Sequence, residues 1–140
     1  MGITSQVLRL HEQLYKRTDG RIGHRMIGVP TLLLRTTGRR SGAMRTNGLV
    51  YASDGDDYLV VASNGGADRH PAWLHNLRAN SDVQIQIGRE RQNGAARAVE
   101  PSDPDYDRLW RIVNENNRDR YSAYQKKTTR AIPVIVLTPN

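Results

Sequence analysis

Hydrophobic and polar positions change their period several times along the chain, and each change marks an element. Val7, Leu10 and Leu14, with Leu8 and Tyr15 beside them, recur at helical spacing, so Ser5 to Thr18 reads as a helix. Three glycines and a proline between Gly20 and Pro30 then interrupt any regular pattern. The run from Thr31 to Thr36 is apolar and β-favouring and stops at Gly38, as a strand would. Arg45 to Ala52 reads as a second strand and Asp57 to Ser63 as a third. Between them Asp54-Gly55-Asp56 signals a hairpin, because glycine tolerates the positive φ of such a turn. Ser63-Asn64-Gly65-Gly66 ends the third strand. Pro71 suits the first turn of a helix that runs to Ala79, with Trp73 and Leu77 on one face. Val83 to Ile87 alternates strictly, which predicts a half-buried strand, and Ala95 to Glu100 is its expected partner. Ser102 with Asp105 resembles a capping box ahead of an amphipathic helix marked by Tyr106, Leu109, Trp110 and Val113. A further helical segment is expected over Asp119 to Lys127, and Pro133 to Leu137 closes the chain as a strand.

Six mostly antiparallel strands, with helices between hairpins rather than between parallel strands, predict an α+β fold built on an antiparallel barrel or sheet with flanking helices. Residues 1–28 are expected to form an N-terminal amphipathic helix and connector, and residues 29–140 the barrel domain. No repeat or linker divides the latter.

Composition narrows the chemistry. The net charge of +7 favours an anionic partner, or serves solubility alone. Cysteine is absent, so disulfides, thiolate metal sites and a cysteine nucleophile are excluded. No apolar run approaches the length that crosses a bilayer, and the N-terminus lacks a signal-peptide stretch, which predicts a cytoplasmic protein. The N-terminal helix has two open readings: folding back onto the barrel, or docking at the inner face of the membrane through Val7, Leu10 and Leu14. His11, His24, His70 and His75 show no metal-type spacing, so no metal is expected. No Ser/His/Asp arrangement can be assembled, so if the chain is an enzyme its hard chemistry falls to a bound cofactor.

The strongest local signal is Gly38-Arg39-Arg40-Ser41-Gly42, with Arg45 close behind and no acidic residue between Gly20 and Ser53. Guanidinium forks, a hydroxyl and accessible backbone N–H groups together suit a phosphate or carboxylate. The same composition also fits a solvated hairpin turn. Ser63-Asn64-Gly65-Gly66 is a second candidate, since two glycines before a helix let N–H groups approach a ligand; a plain strand-to-helix turn uses glycine equally well. Tyr121 and Tyr124, three apart, either line a pocket or pack one helix face onto the barrel. The aromatics are few and do not interleave with basic residues, so nucleic acid is not an expected partner.

Leu32 to Gly42, Arg45-Thr46-Asn47, Ser63 to Ala67, His70 to Leu77, Tyr121 to Gln125 and Arg130 to Val134 occur in this order. In them the chain from Val29 to Pro139 resembles the deazaflavin-dependent nitroreductase and quinone reductase family of actinobacteria. The resemblance implies a split β-barrel that binds coenzyme F420, whose phosphodiester and oligoglutamate tail would account for the arginines. It places Arg39, Arg40 and Ser41 at the phosphate region. Arg45, Thr46, Asn47, Gly48, Leu49 and Val50 would run along the cofactor as the next strand. Val61, Ala62, Ser63 and Asn64 would flank the deazaflavin ring from one side. Ala72, Trp73, Leu74, His75 and Asn76 would flank it from the other. Tyr121, also counted as a ring contact, Tyr124 and Ser63 would stand at the substrate pocket as catalytic residues. Three departures from the family pattern are Asn64 for a lysine, Val50 for an aromatic residue and Arg118 for a tyrosine. The implied function is hydride transfer from reduced F420 to an electron-poor small molecule such as a quinone, a nitro compound or an activated double bond. A non-catalytic F420 carrier is the alternative, and a flavin mononucleotide protein of the same barrel type is another. Oligomeric state is left open.

Overall fold

The structure, a computed structural model, describes residues 29–140. The helix expected over Ser5 to Thr18, with its Val7, Leu10 and Leu14 face, lies outside the described residues. Strand β1 (Thr31–Thr37) pairs antiparallel with β2 (Met44–Val50), with Thr31 opposite Val50 and Thr37 opposite Met44. Past Tyr51 the chain enters β3 (Ala52–Asp54), which turns at Gly55, φ 60°, into β4 (Asp57–Val61). A 3-10 turn (Asn64–Gly66) leads to helix α1 (Ala72–Ala79). Strands β5 (Asp82–Ile87) and β6 (Glu90–Val99) form a long hairpin. Helices α2 (Tyr106–Asn116) and α3 (Arg120–Gln125) precede β7 (Val134–Pro139).

The strands form one antiparallel sheet in the order β2-β1-β5-β6-β7-β4-β3. Its two edge strands, β2 and β3, are separated in sequence by Tyr51 alone. The sheet therefore has to curl until its edges adjoin, which makes the expected α+β split barrel. The stretch read from sequence as one strand, Arg45 to Ala52, is physically continuous but changes partner at Tyr51: β1 before it, β4 after it. Tyr51 loses no backbone hydrogen bond at the break. Its N–H donates to the Pro30 carbonyl at 3.1 Å, and its carbonyl accepts from Asn116 Nδ2 at 2.9 Å.

Alternation in the central strands sends neighbours to two cores. Val60, Ile135 and Leu137 join Leu32, Leu34 and Ile85 against Trp73, Leu74 and Leu77 of α1. Leu59, Val61, Val134 and Val136 face Leu109 and Val113 of α2 and Tyr121 of α3. Both faces of β4 and β7 are covered, which is why these strands read as unbroken apolar runs.

Several boundaries differ from the sequence expectation. β6 begins at Glu90, because Glu90 to Asn93 pair with β5 although their side chains are polar and carry no apolar period. Gln86 is fully buried despite its polar position in the β5 alternation, and its Nε2 donates to the Gly88 carbonyl at 3.0 Å. No capping box forms: α2 starts at Tyr106, and Asp103 Oδ1 instead accepts the Asp105 N–H at 2.9 Å. Pro71 sits just before α1 rather than inside its first turn. α3 is shorter than expected and follows two left-handed residues, Arg118 and Asp119, φ 55° and 61°.

Two contacts seat α2. Tyr106 donates its hydroxyl to the Ile132 carbonyl at 2.6 Å, in the interior. On the surface Arg108 grips Asp54 with both terminal nitrogens, at 2.9 and 3.1 Å, and Asp105 through Nε at 2.9 Å. Tyr106→Phe leaves a buried carbonyl unpaired and should lower unfolding free energy by about 1–2 kcal/mol. Arg108→Ala, at an exposed ion pair, should cost less than that. Urea unfolding of the two variants checks the order.

Candidate functional site

The loop between β1 and β2 is a tight, self-bonded hairpin. Gly38 N–H donates to the Ala43 carbonyl at 2.7 Å, Gly42 N–H donates to the Gly38 carbonyl at 2.8 Å, and Ser41 Oγ accepts the Ala43 N–H at 3.1 Å. One side chain from α1 fastens this loop to the barrel. Asn76, 5% exposed, accepts the Arg39 N–H on Oδ1 at 3.1 Å and donates from Nδ2 to Thr36 Oγ1 at 3.3 Å. Helix, strand and loop thus meet at one amide.

Beside it opens a groove of about 730 Å³, within the usual range for ligand pockets. Arg39, Arg40, Ser41, Arg45, Thr46 and Asn47 line it together with Ala72, Trp73 and Asn76 of α1. Gly38, which opens the loop motif, lines it too, as does Met44, which does not stand out in the sequence; Met44 is the one large hydrophobic among the described residues that is exposed. None of Arg39, Arg40 and Arg45 meets a carboxylate among the described residues. Three guanidinium groups that meet no carboxylate among the described residues, around one concavity, fit an anionic ligand.

Other expected positions fall elsewhere. Gly48, Leu49 and Val50 continue β2 beyond the groove and are half-buried. Val61, Ala62 and Leu74 are core residues. His75 does not line the groove; burial, then Arg39, then Arg78 lower its pKa, so its imidazole is neutral at pH 7. Its ring stands edge-on to His70, centroids 5.8 Å apart. Among the described residues no side-chain cluster suits a metal ion.

The Ser63–Gly66 turn and the tyrosines form a second locality. Ser63 is buried, while Asn64 is exposed at φ 46° and donates from Nδ2 to the Arg69 carbonyl at 3.0 Å. Gly66 lies at φ 86°, and a Cβ there would sit 2.8 Å from the Tyr124 carbonyl oxygen. Glycine therefore lets the turn press against α3. Tyr121 and Tyr124 meet edge-on at 6.3 Å, with Lys127 Nζ 5.8 Å above the Tyr124 ring. Tyr121 is buried, and burial pushes its phenol up to about 12, with the hydrogen bond to Asn117 pulling the other way. At neutral pH that phenol is a hydrogen-bond donor, not a source of protons. Ser63, Tyr121 and Tyr124 are not among the groove-lining residues.

Residues 7–139 match the family described as F420H(2)-dependent quinone reductase. The chain is 58% identical over 134 residues to the F420H(2)-dependent quinone reductase Rv1261c of Mycobacterium tuberculosis, covering 95% of this chain and 90% of that protein. A solved F420-H2 dependent reductase, FDR-A, superposes with a TM-score of 0.68 at 35% identity, covering 77% of this chain and 93% of that one. The heme storage protein HutZ of Vibrio cholerae, 15% identical, has a TM-score of 0.63 over 89% of this chain and 88% of its own, and shares the fold.

Asn76→Ala removes both ends of the amide bridge and should cost about 1–3 kcal/mol of stability. Hydrogen exchange at the Arg39 amide should accelerate with it. The phenols of Tyr106 and Tyr121, both held near pKa about 12, bind their protons more tightly folded than unfolded. Their contribution is complete below the unfolded value of about 10 and is lost as pH rises towards about 12. Thermal melts between pH 8 and pH 12 should stay level to about pH 10 and then fall.

Proposed function

The chain belongs to the F420H(2)-dependent quinone reductase family, and we propose that it grips the anionic part of coenzyme F420 in the groove beside Asn76. It is an oxidoreductase. Reduced coenzyme F420, when bound, supplies a hydride, and a quinone receives it.

One observation carries the proposal: Arg39, Arg40 and Arg45 surround the groove, and none meets a carboxylate among the described residues. Arg39, Arg40 and the Ser41 hydroxyl take the phosphate oxygens; Arg45, Thr46 and Asn47 extend the grip along β2 towards Gly48, Leu49 and Val50. Asn76 spends its amide on Thr36 and Arg39, so its part is to hold the loop in place before ligand arrives. The segments Ala72 to His75 on one side and Val61 to Asn64 on the other flank the ring, with Leu74, Val61 and Ala62 packed in the core behind them. Neutral His75 adds no charge there. Ser63, Tyr121 and Tyr124 orient the electron acceptor. With its phenol near pKa about 12, Tyr121 does so by hydrogen bonding and not by ionising.

Val50 and Arg118 shape the acceptor end, and nitro compounds and activated double bonds are further acceptors of the same electronic type. None of the described helices is long and apolar enough to cross a membrane. Quinones dissolve in lipid, so docking of the segment Ser5 to Thr18, expected from sequence to be helical, at the inner membrane face would bring enzyme and acceptor together.

Arg39→Ala with Arg40→Ala should weaken F420 binding by roughly 2–4 kcal/mol, at about 1.5–3 kcal/mol per charge-assisted bond. Calorimetry with purified F420 measures it, and unchanged affinity would remove the loop from the site. Tyr124→Phe should slow quinone turnover and leave F420 affinity intact. Equal loss in both would make Tyr124 a cofactor ligand, and tight binding by the native chain without turnover would make it a carrier.

A further inference from the structure

Arg130 lies in the segment before β7 and reaches across to a loop more than sixty positions earlier in sequence. Its guanidinium donates four hydrogen bonds there. Nη1 donates to the Ala62 carbonyl at 3.2 Å and to His70 Nδ1 at 3.0 Å. Nη2 donates to the Ser63 carbonyl at 2.8 Å, and Nε to the Ala67 carbonyl at 2.8 Å. Arginine has no acceptor, so His70 Nδ1 carries no proton and the ring is held as its Nε2–H tautomer. Among the described residues no carboxylate contacts Arg130; the nearby Asp68 accepts the Thr128 hydroxyl at 2.7 Å.

A cation bound to a peptide carbonyl polarises the amide and strengthens the N–H on its far side as a donor. The two peptides gripped at Ala62 and Ser63 carry the N–H groups of Ser63 and Asn64. Neither N–H meets an acceptor among the described residues, although Ser63 is only 8% exposed. Ser63 is right-handed, φ −79° and ψ −31°, and Asn64 left-handed, φ 46°. That succession turns neighbouring N–H groups to one side, as in an anion-binding concavity. A donor left unmet beside a buried residue is costly, and a guanidinium on the opposite side of the same peptides makes it a better donor still.

We propose that Arg130 is a positioning residue for hydride transfer, holding the Ser63 and Asn64 N–H groups as a polarised cradle for a ring-carbonyl oxygen that carries negative charge. This rests on the reading above that Val61 to Asn64 flank the ring. The oxygen belongs either to the cofactor ring or to the quinone, whose oxygen gains charge as the hydride arrives.

The test uses the full chain with Arg130→Lys, which keeps the charge but lacks the fork that reaches four acceptors. F420 affinity is read by fluorescence titration without turnover, kcat and KM with menadione as the quinone, and folding by thermal melt. The variant should melt within a few degrees of the native chain and lose at least tenfold in kcat. If the cradle takes the cofactor oxygen, F420 Kd should also rise at least fivefold; if it takes the quinone oxygen, Kd should hold while kcat falls. A folded Arg130→Lys chain with Kd and kcat both within twofold of native overturns the proposal. Ser63→Pro against Ser63→Ala gives an independent reading, since φ −79° suits proline: the first removes hydroxyl and N–H, the second the hydroxyl alone. Ser63→Pro should lose at least tenfold more kcat than Ser63→Ala, and equal losses would overturn the proposal even if Arg130→Lys fails to fold. A native chain that does not bind F420 would sink the site reading itself, whereas an unaffected Arg130→Lys chain sinks this inference alone.

Discussion

A single residue, Tyr51, joins strands that stand at opposite edges of a seven-stranded sheet. A covalent link that short allows only a sheet curled until its edges adjoin. The curl then dictates the rest. It gives β4 and β7 two covered faces, and so two cores, one under α1 and one under α2 and α3. The break itself is stabilised from both flanks, by the Pro30 carbonyl and the Asn116 amide, so partner exchange at Tyr51 leaves no backbone group stranded.

From that frame follow the positions of the two chemical localities. α1 packs on β1 and delivers Asn76 to the base of the β1–β2 loop, where one amide substitutes for a longer scaffold. The loop is preorganised by its own hydrogen bonds and by Asn76, so binding an anion there requires little ordering. The Ser63–Gly66 turn emerges at the end of β4 and is pressed against α3, a contact open only to glycine at position 66. Arg130 ties the same turn to the segment entering β7.

Charge is distributed by role. Arg78, Arg97 and Arg108 each meet a carboxylate: Glu100, Asp103, and Asp54 with Asp105. These pairs sit on partly exposed surface and contribute modestly. Arg39, Arg40 and Arg45 share a groove and meet no acid among the described residues. Like charges gathered around one groove would be relieved by an anionic ligand. Tyr121 shows the complementary device. Burial holds its phenol neutral and confines it to hydrogen bonding.

Local patterning was sufficient for the elements whose burial is periodic: β1, the two-faced runs of β4 and β7, the Trp73 and Leu77 face of α1, and the Tyr106, Leu109 and Val113 face of α2. The β1–β2 loop stood out as a candidate anion site because composition alone concentrates donors there, and ordered motifs from Val29 to Pro139 carried the family. Period and composition report only what a segment buries, not against what. The change of partner at Tyr51, the polar first half of β6, the burial of Gln86 and the missing cap at Asp105 all depend on a neighbour distant in sequence. The same holds for the site. That Asn76 is committed to Thr36 and Arg39, and that Arg130 holds the carbonyls of Ala62, Ser63 and Ala67, are contacts spanning some forty to seventy positions. Only chain closure brings such groups within hydrogen-bonding distance, so only the folded barrel could decide which polar residues hold the site and which remain free to bind.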